Sequence, residues 1–159
     1  EAALRLEEGC GACRVVGLQL EGPAGGWALV VAGGEPVVKS CRLLSGAAMR
    51  GGCAQLLGCE LEGSSGDCLL VDEAHGPRLP RVVGCSISQA RRNGVMLDSA
   101  AELSGCKVFG NACAGIRIGP GVELDPEELA RLNRVEGNAA RGSSCKDIVV
   151  EEDVAWSLW

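Results

Sequence analysis

Residues 103–119 read LSGCKVFGNACAGIRIG. Two apolar alternations, Leu103-x-x-Cys106-x-Val108 and Ile116-x-Ile118, flank a Gly110-Asn111 pair. Taken alone, Cys106 beside that turn could be a reactive thiol. Aligned on the rest of the chain, it is one rung of a repeat. The frame recurs as VVGLQLEG (15–22), VKSCRLLSG (38–46), LLGCELEG (56–63) and VVGCSISQ (82–89), and more faintly as LNRVEGN (132–138). One column holds Leu18, Cys41, Cys59, Cys85, Cys106 and Asn133, at spacings of 23, 18, 26, 21 and 27 residues. Two residues later stand Leu20, Leu43, Leu61, Ile87, Val108 and Val135, and three residues earlier Val15, Val38, Leu56, Val82 and Leu103. Such alternation makes each segment a short strand with one buried face.

A second strand follows in most units: WALVVAGG (27–34), DCLLVDEA (67–74), GVMLDSAA (94–101), GIRIGPG (115–121) and DIVVEED (147–153), with the opening ALRLEE (3–8) in the same set. Its inward pairs are Leu4/Leu6, Leu29/Val31, Leu69/Val71, Val95/Leu97, Ile116/Ile118 and Ile148/Val150. The unit around GAAMRGG (46–52) carries a degenerate version. A strand-turn-strand unit near 22 residues is too short for a propeller blade, and it lacks both the leucine-rich-repeat frame and the 3.6-residue period of a helical solenoid. A parallel β-helix fits, with equivalent residues forming ladders at roughly 4.8 Å per coil.

Composition agrees with a narrow aliphatic stack. The 159-residue chain is 47% hydrophobic but only 3% aromatic, with 24 Gly, no Tyr and no Thr. Ten cysteines would suit a disulfide scaffold in a small secreted domain. Their alignment in an inward column instead predicts reduced thiols that pack as small hydrophobes, with disulfides along the ladder as the alternative. The expected fold is therefore all-β, a right-handed single-stranded parallel β-helix of about six coils, forming one domain over residues 1–159. With no Met at its start, the chain reads as a fragment of a longer protein.

The pattern apolar-x-Gly-Cys-x-apolar followed by Gly-Asn-x-x-x-Gly-Ile-x-Ile in residues 103–118 resembles the right-handed parallel β-helix repeat family. SQARRNGVML (88–97) and VEGNAARGSSCKDIVV (135–150) carry variants of the same frame. These repeats build carbohydrate-binding and sugar-hydrolase domains, F-box-type substrate receptors and Shc-binding spindle proteins. The resemblance implies a fold; its members range from polysaccharide lyases and epimerases to pure scaffolds.

Two segments depart from the repeat. LDPEELARL (124–132) reads as a short helical insert with Asp125 as N-cap and Pro126 at the first helical position. It is expected to decorate one corner, with a lid or docking element as the alternative. The tail EEDVAWSLW (151–159) ends in two Trp expected to cap the open end of the stack.

Register supplies one catalytic candidate. Asp72 and Asp98 each follow the last inward residue of their strands on consecutive coils, which places the carboxylates roughly 5 Å apart, a spacing that suits a retaining glycosidase pair. Arg117 points outward one coil further on. Against this, Glu7 and Glu151 occupy the same position without partners, no aromatic platform is present, and the single His75 lies in a loop. Cys10-x-x-Cys13 is half a metal site with no second pair, and Arg91-Arg92 with Arg78 and Arg81 reads as a solvated basic corner. No metal and no cofactor are expected.

The outward positions Val30, Leu70, Met96 and Val149 form an apolar strip, with Arg117 in the same row. Such a strip marks an interaction surface. The expected function is a non-catalytic scaffold or protein-interaction domain that contacts a protein partner through this row. The alternative is a carbohydrate-active or polysaccharide-binding domain using Asp72, Asp98 and Arg117. A net charge of −6 and the absence of a long apolar run argue against nucleic-acid and membrane partners. The expected compartment is the cytoplasm.

Overall fold

The computed structural model describes residues 1–74, 78–139 and 147–151. His75 and most of the expected C-terminal cap, residues 152–159, lie outside the described residues. Strand β1 (Ala2–Leu6) opens the chain. The first full coil holds β2 (Arg14–Val16), β3 (Gln19–Glu21) and β4 (Trp27–Val31), and the second β5 (Val37–Lys39), β6 (Arg42–Leu44) and β7 (Ala47–Arg50). The third holds β8 (Gln55–Leu57), β9 (Glu60–Glu62) and β10 (Leu69–Asp72), and the fourth β11 (Arg81–Val83), β12 (Ser86–Ser88) and β13 (Val95–Leu97). The fifth holds β14 (Glu102–Ser104), β15 (Lys107–Phe109) and β16 (Ile116–Ile118). The sixth combines helix α1 (Pro126–Leu132) with β17 (Arg134–Glu136) and β18 (Ile148–Val150).

All the strands pair in parallel, each with its equivalents one coil away. The result is a β-solenoid of about six coils with three sheets: sheet A of seven strands, β1 to β18, sheet B of five, β2 to β14, and sheet C of six, β3 to β17. Sequence reading anticipated two strands per coil. The structure has three, because VVGLQLEG and its siblings bend at their centre. Gly17, Gly58, Gly84 and Gly105 hold φ between 57° and 67° at that bend, and Ser40 takes the same turn at φ 52°. A left-handed residue turns the chain sharply, which Gly does without a Cβ clash.

The columns read from sequence are the core. Val38, Leu56 and Val82 from sheet B, Leu43, Leu61 and Ile87 from sheet C, and Leu69, Val95 and Ile116 from sheet A are all 0% exposed. Burying an aliphatic side chain stabilises by about 1.5–3 kcal/mol, so these rungs supply the main folding drive. The unit at Ala47–Arg50 is a regular rung: Ala47 and Met49 pair with Leu29/Val31 on one side and Leu69/Val71 on the other. Its small and large side chains fill the same width as two medium ones. At the ends the pattern weakens, with Leu18 and Val150 exposed because no further described coil covers them.

The thiols behave as expected of packing groups. Cys41, Cys59, Cys85 and Cys106 are buried at the bend between sheets B and C, and the nine described cysteines are all free. Each sulfur of the last three reaches a carbonyl of the preceding coil: Cys59 to Val38 (3.5 Å), Cys85 to Leu56 (3.5 Å) and Cys106 to Val82 (3.4 Å). Contact with the Cys106 and Cys59 thiols, reinforced by burial, holds Cys85 far above the ordinary thiol range. The same hydrogen bonding to Cys85 lowers Cys59 and Cys106 to about 7, against their burial.

The Gly-Asn-x-x-x-Gly motif has a packing cause. Asn111 accepts the Ala90 N–H (3.0 Å) and donates to the Asn138 side-chain oxygen (2.8 Å), while Asn138 donates to the Val108 carbonyl (2.9 Å). These amides run inside the corner after sheet C. A methyl on Gly94 would lie 2.6 Å from Asn111 Nδ2, and one on Gly115 would lie 2.6 Å from Asn138 Nδ2. Each glycine leaves room for the asparagine of the next coil. A parallel pair, Asp67 and Asn93, serves the next corner: Asn93 donates to Asp67 (2.8 Å) and accepts the Ala114 N–H (3.2 Å). No buried side-chain nitrogen or oxygen among the described residues is left without a partner.

Candidate functional site

Sheet A carries both sequence-derived candidates. Its strands place one outward residue per coil in a row: Arg5, Val30, Ala48, Leu70, Met96, Arg117 and Val149. The strip is therefore contiguous, with Ala48 as the member that the sequence reading omitted. It is not uniformly open. Val30 is 4% and Ala48 0% exposed, whereas Leu70, Met96, Arg117 and Val149 are half-buried. The accessible part of the row thus runs from β10 to β18, and Val30 is withdrawn from it.

Arg117 does not stand free beside this row. Its guanidinium pairs with Glu151 on the following coil, the side chains being 38% and 29% exposed. The middle of β16 and the end of β18 make the pair: Glu151 leaves sheet A directly after Val150, tied by its N–H to the Ile118 carbonyl at 2.8 Å. A half-buried pair of this kind sets a neutralised polar member into the row between Met96 and Val149.

One residue further along each strand is the charged edge of the sheet. Asp72 lies opposite Arg50 of β7, and the register of β10 with β13 carries Asp98 beside Asp72 on the other side. The next coil offers Gly119, whose missing side chain matters: a methyl there would lie 2.7 Å from Asp98 Oδ1. Asp98 is held above its ordinary value by partial burial first and by the Asp72 charge second, with Glu151 adding and Arg117 opposing. Register thus sets Asp72 and Asp98 on adjacent strands, near enough for the Asp72 charge to act on Asp98. Asp98 remains exposed to solvent, and Arg117 is committed to Glu151.

The remaining candidates resolve into structural roles. Cys10 and Cys13 sit half-buried at the first corner, where burial and the neighbouring Cys13 thiol raise Cys10 above the ordinary range. No group of three or more His, Cys, Asp or Glu positioned for a metal ion occurs among the described residues. The arginines separate: Arg81 pairs with Glu102 at 3.0 Å, and Arg92 approaches Asp67 at 3.8 Å. Among the described residues no helix is long and apolar enough to cross a membrane.

Helix α1 is the feature that sequence reading placed least well. It does more than decorate a corner, because it occupies the sixth-coil position where the other coils have a sheet B strand. Asp125 caps it by accepting the Glu127 N–H at 2.9 Å. Leu129 is 5% exposed and joins the core, while Leu132 points outward. Asn133 splices the helix to the stack: its oxygen accepts the Cys106 N–H (3.0 Å), and its amide donates to the Leu103 and Leu129 carbonyls (3.0 Å each). Comparison of the chain with protein-family models, curated proteins and solved structures gives no match in any of the three.

Proposed function

We propose that this domain is a non-catalytic scaffold that binds a protein partner through the outer row of sheet A. The observation that carries the reading is the half-buried run Leu70, Met96, Arg117 and Val149, held in register on four successive strands. An apolar row on a rigid sheet, crossed by a neutralised ion pair, suits a partner that supplies a flat apolar face with a polar rim. The resemblance to β-helix repeats found in substrate receptors supports the same reading, with the cytoplasm as its setting. The test is affinity capture with quantitative mass spectrometry, comparing the wild type with the Leu70→Glu/Met96→Glu double variant. Loss of specific partners from a variant with unchanged circular dichroism is expected. Equal recovery from both would overturn the reading.

A second reading is favoured by one observation: the raised pKa of Asp98 beside Asp72. Two carboxylates on adjacent strands, one of them holding its proton to higher pH, are the kind of pair that sugar hydrolysis uses. In this reading the domain is carbohydrate-active, with Asp98 as general acid and Asp72 as its partner. Incubation with a panel of acidic and neutral polysaccharides distinguishes the two. Product formation lost in Asp98→Asn would establish catalysis, whereas no product from the wild type would remove it.

A further inference from the structure

A groove of about 310 Å³ opens between α1 and the end of sheet B, away from the row just described. Leu79, Leu103, Leu124, Leu129 and Leu132 line it, and Leu79 and Leu132 are each 42% exposed. Its charged lining is acidic throughout: Glu102, Asp125 and Glu128. Glu123 and Glu127 add to the same field within one short segment. Arg81 and Arg131, which pair with Glu102 and Glu128, are themselves 50% and 74% exposed. Such exposed pairs exchange readily with a competing cation.

The backbone of the groove carries an unfinished ladder. In sheet B each coil donates an N–H to the coil before it: Val37 to the Cys13 carbonyl, Gln55 to Pro36, Arg81 to Ala54 and Glu102 to Pro80, all at 2.9 Å. The next acceptor in this series is Ala101. Because α1 replaces the sixth strand, no backbone donor among the described residues reaches it. The helix completes only the later half of the β14 edge, where Leu132 accepts the Gly105 N–H (2.8 Å) and Asn133 donates to the Leu103 carbonyl (3.0 Å). Ala101 lines the groove, and a backbone carbonyl without a donor is rare in folded proteins.

We propose that this groove is a second docking site, whose occupant is an extended peptide segment with an aliphatic anchor flanked by Lys or Arg. The volume lies at the small end of ligand pockets and suits one or two side chains. The anchor lies among Leu79, Leu124 and Leu132; a peptide N–H reaches the Ala101 carbonyl; the flanking cations face Glu102, Asp125 and Glu128. Edge acceptor, apolar pocket and charge thus each specify one part of the same ligand.

Panning a random nonapeptide display library on the whole chain tests the site. The expected result is enrichment of aliphatic residues with basic neighbours. A synthetic peptide of the enriched sequence should bind at least about tenfold more weakly to Leu132→Glu and to Leu79→Glu, and equally to Leu70→Glu. Its affinity should fall as salt rises. Both groove positions are exposed, so the variants fold, and thermal melting checks that they do. No enrichment, enrichment without basic flanks, or equal binding by the two groove variants would each overturn the proposal.

Discussion

The second to fifth coils and the sixth coil solve one packing problem in two ways. In the earlier coils the bend between sheets B and C is filled by a thiol, and the neighbouring rungs are aliphatic. In the sixth the same column holds Asn133, buried at 8% exposure, and the preceding strand has become α1. A thiol suffices where each coil copies the last, since the ladder meets the flanking groups and a sulfur can take the N–H at the bend, as Cys85 takes that of Cys59 at 3.4 Å. Where a helix meets a strand the ladder fails, and a side chain that both accepts and donates must join the two. A repeat is held by burial, and its interruption by hydrogen bonds.

Three substitutions sharpen that contrast. Asn133→Ala should have the largest effect, because it orphans the Cys106 N–H and removes donors to two carbonyls. A loss of about 2–4 kcal/mol in urea denaturation is expected. Cys85→Ala removes one buried sulfur that accepts only the Cys59 N–H, a weaker bond than an amide oxygen makes, and about 1–2 kcal/mol is expected. If the cysteine variant proves the more costly, the contrast between the two regions is broken.

Smallest is the effect at the edge of sheet A, where the middle coils stack Asp72 beside Asp98 while the last pairs Arg117 with Glu151. Asp98 binds its proton more tightly in the folded chain than in the unfolded one. Ionising it therefore costs stability: the cost is absent below the unfolded value near 3.8 and complete once the pH has risen through the folded value. Asp98→Asn should flatten that decline and raise stability at neutral pH by under about 1 kcal/mol, since solvent screens the exposed group. Thermal melts across that pH range would show it. A wild type whose stability instead rises through the same window as the variant stays level would refute the assignment.

The solenoid was legible because burial imposes a period of two, and Val82, Ile87, Val95 and Leu97 obey it without exception. The third sheet was not, since a strand that bends at Gly84 keeps its inward columns on both sides of the bend and so reads as one strand. The placement of Asp72 and Asp98 on adjacent strands followed from register alone. The Arg117–Glu151 pair did not, because it depends on how far two side chains reach across coils. The withdrawal of Val30 and the groove beside α1 also escaped, because alternation tells which way a residue faces and not what lies over it. The Gly94 and Gly115 positions were visible as motif letters, but their cause appears only when the asparagines of the next coil are in place.

Helix α1 has a consequence for growth. A parallel solenoid offers at its end the same strand edges it uses internally, so two molecules aligned end to end would find matching templates and could elongate into a fibre. Here a third of that template is blocked, because a helix has turned its own hydrogen bonds inward at the end of sheet B. The helix that borders the groove thus takes the sheet B edge out of any such end-to-end pairing.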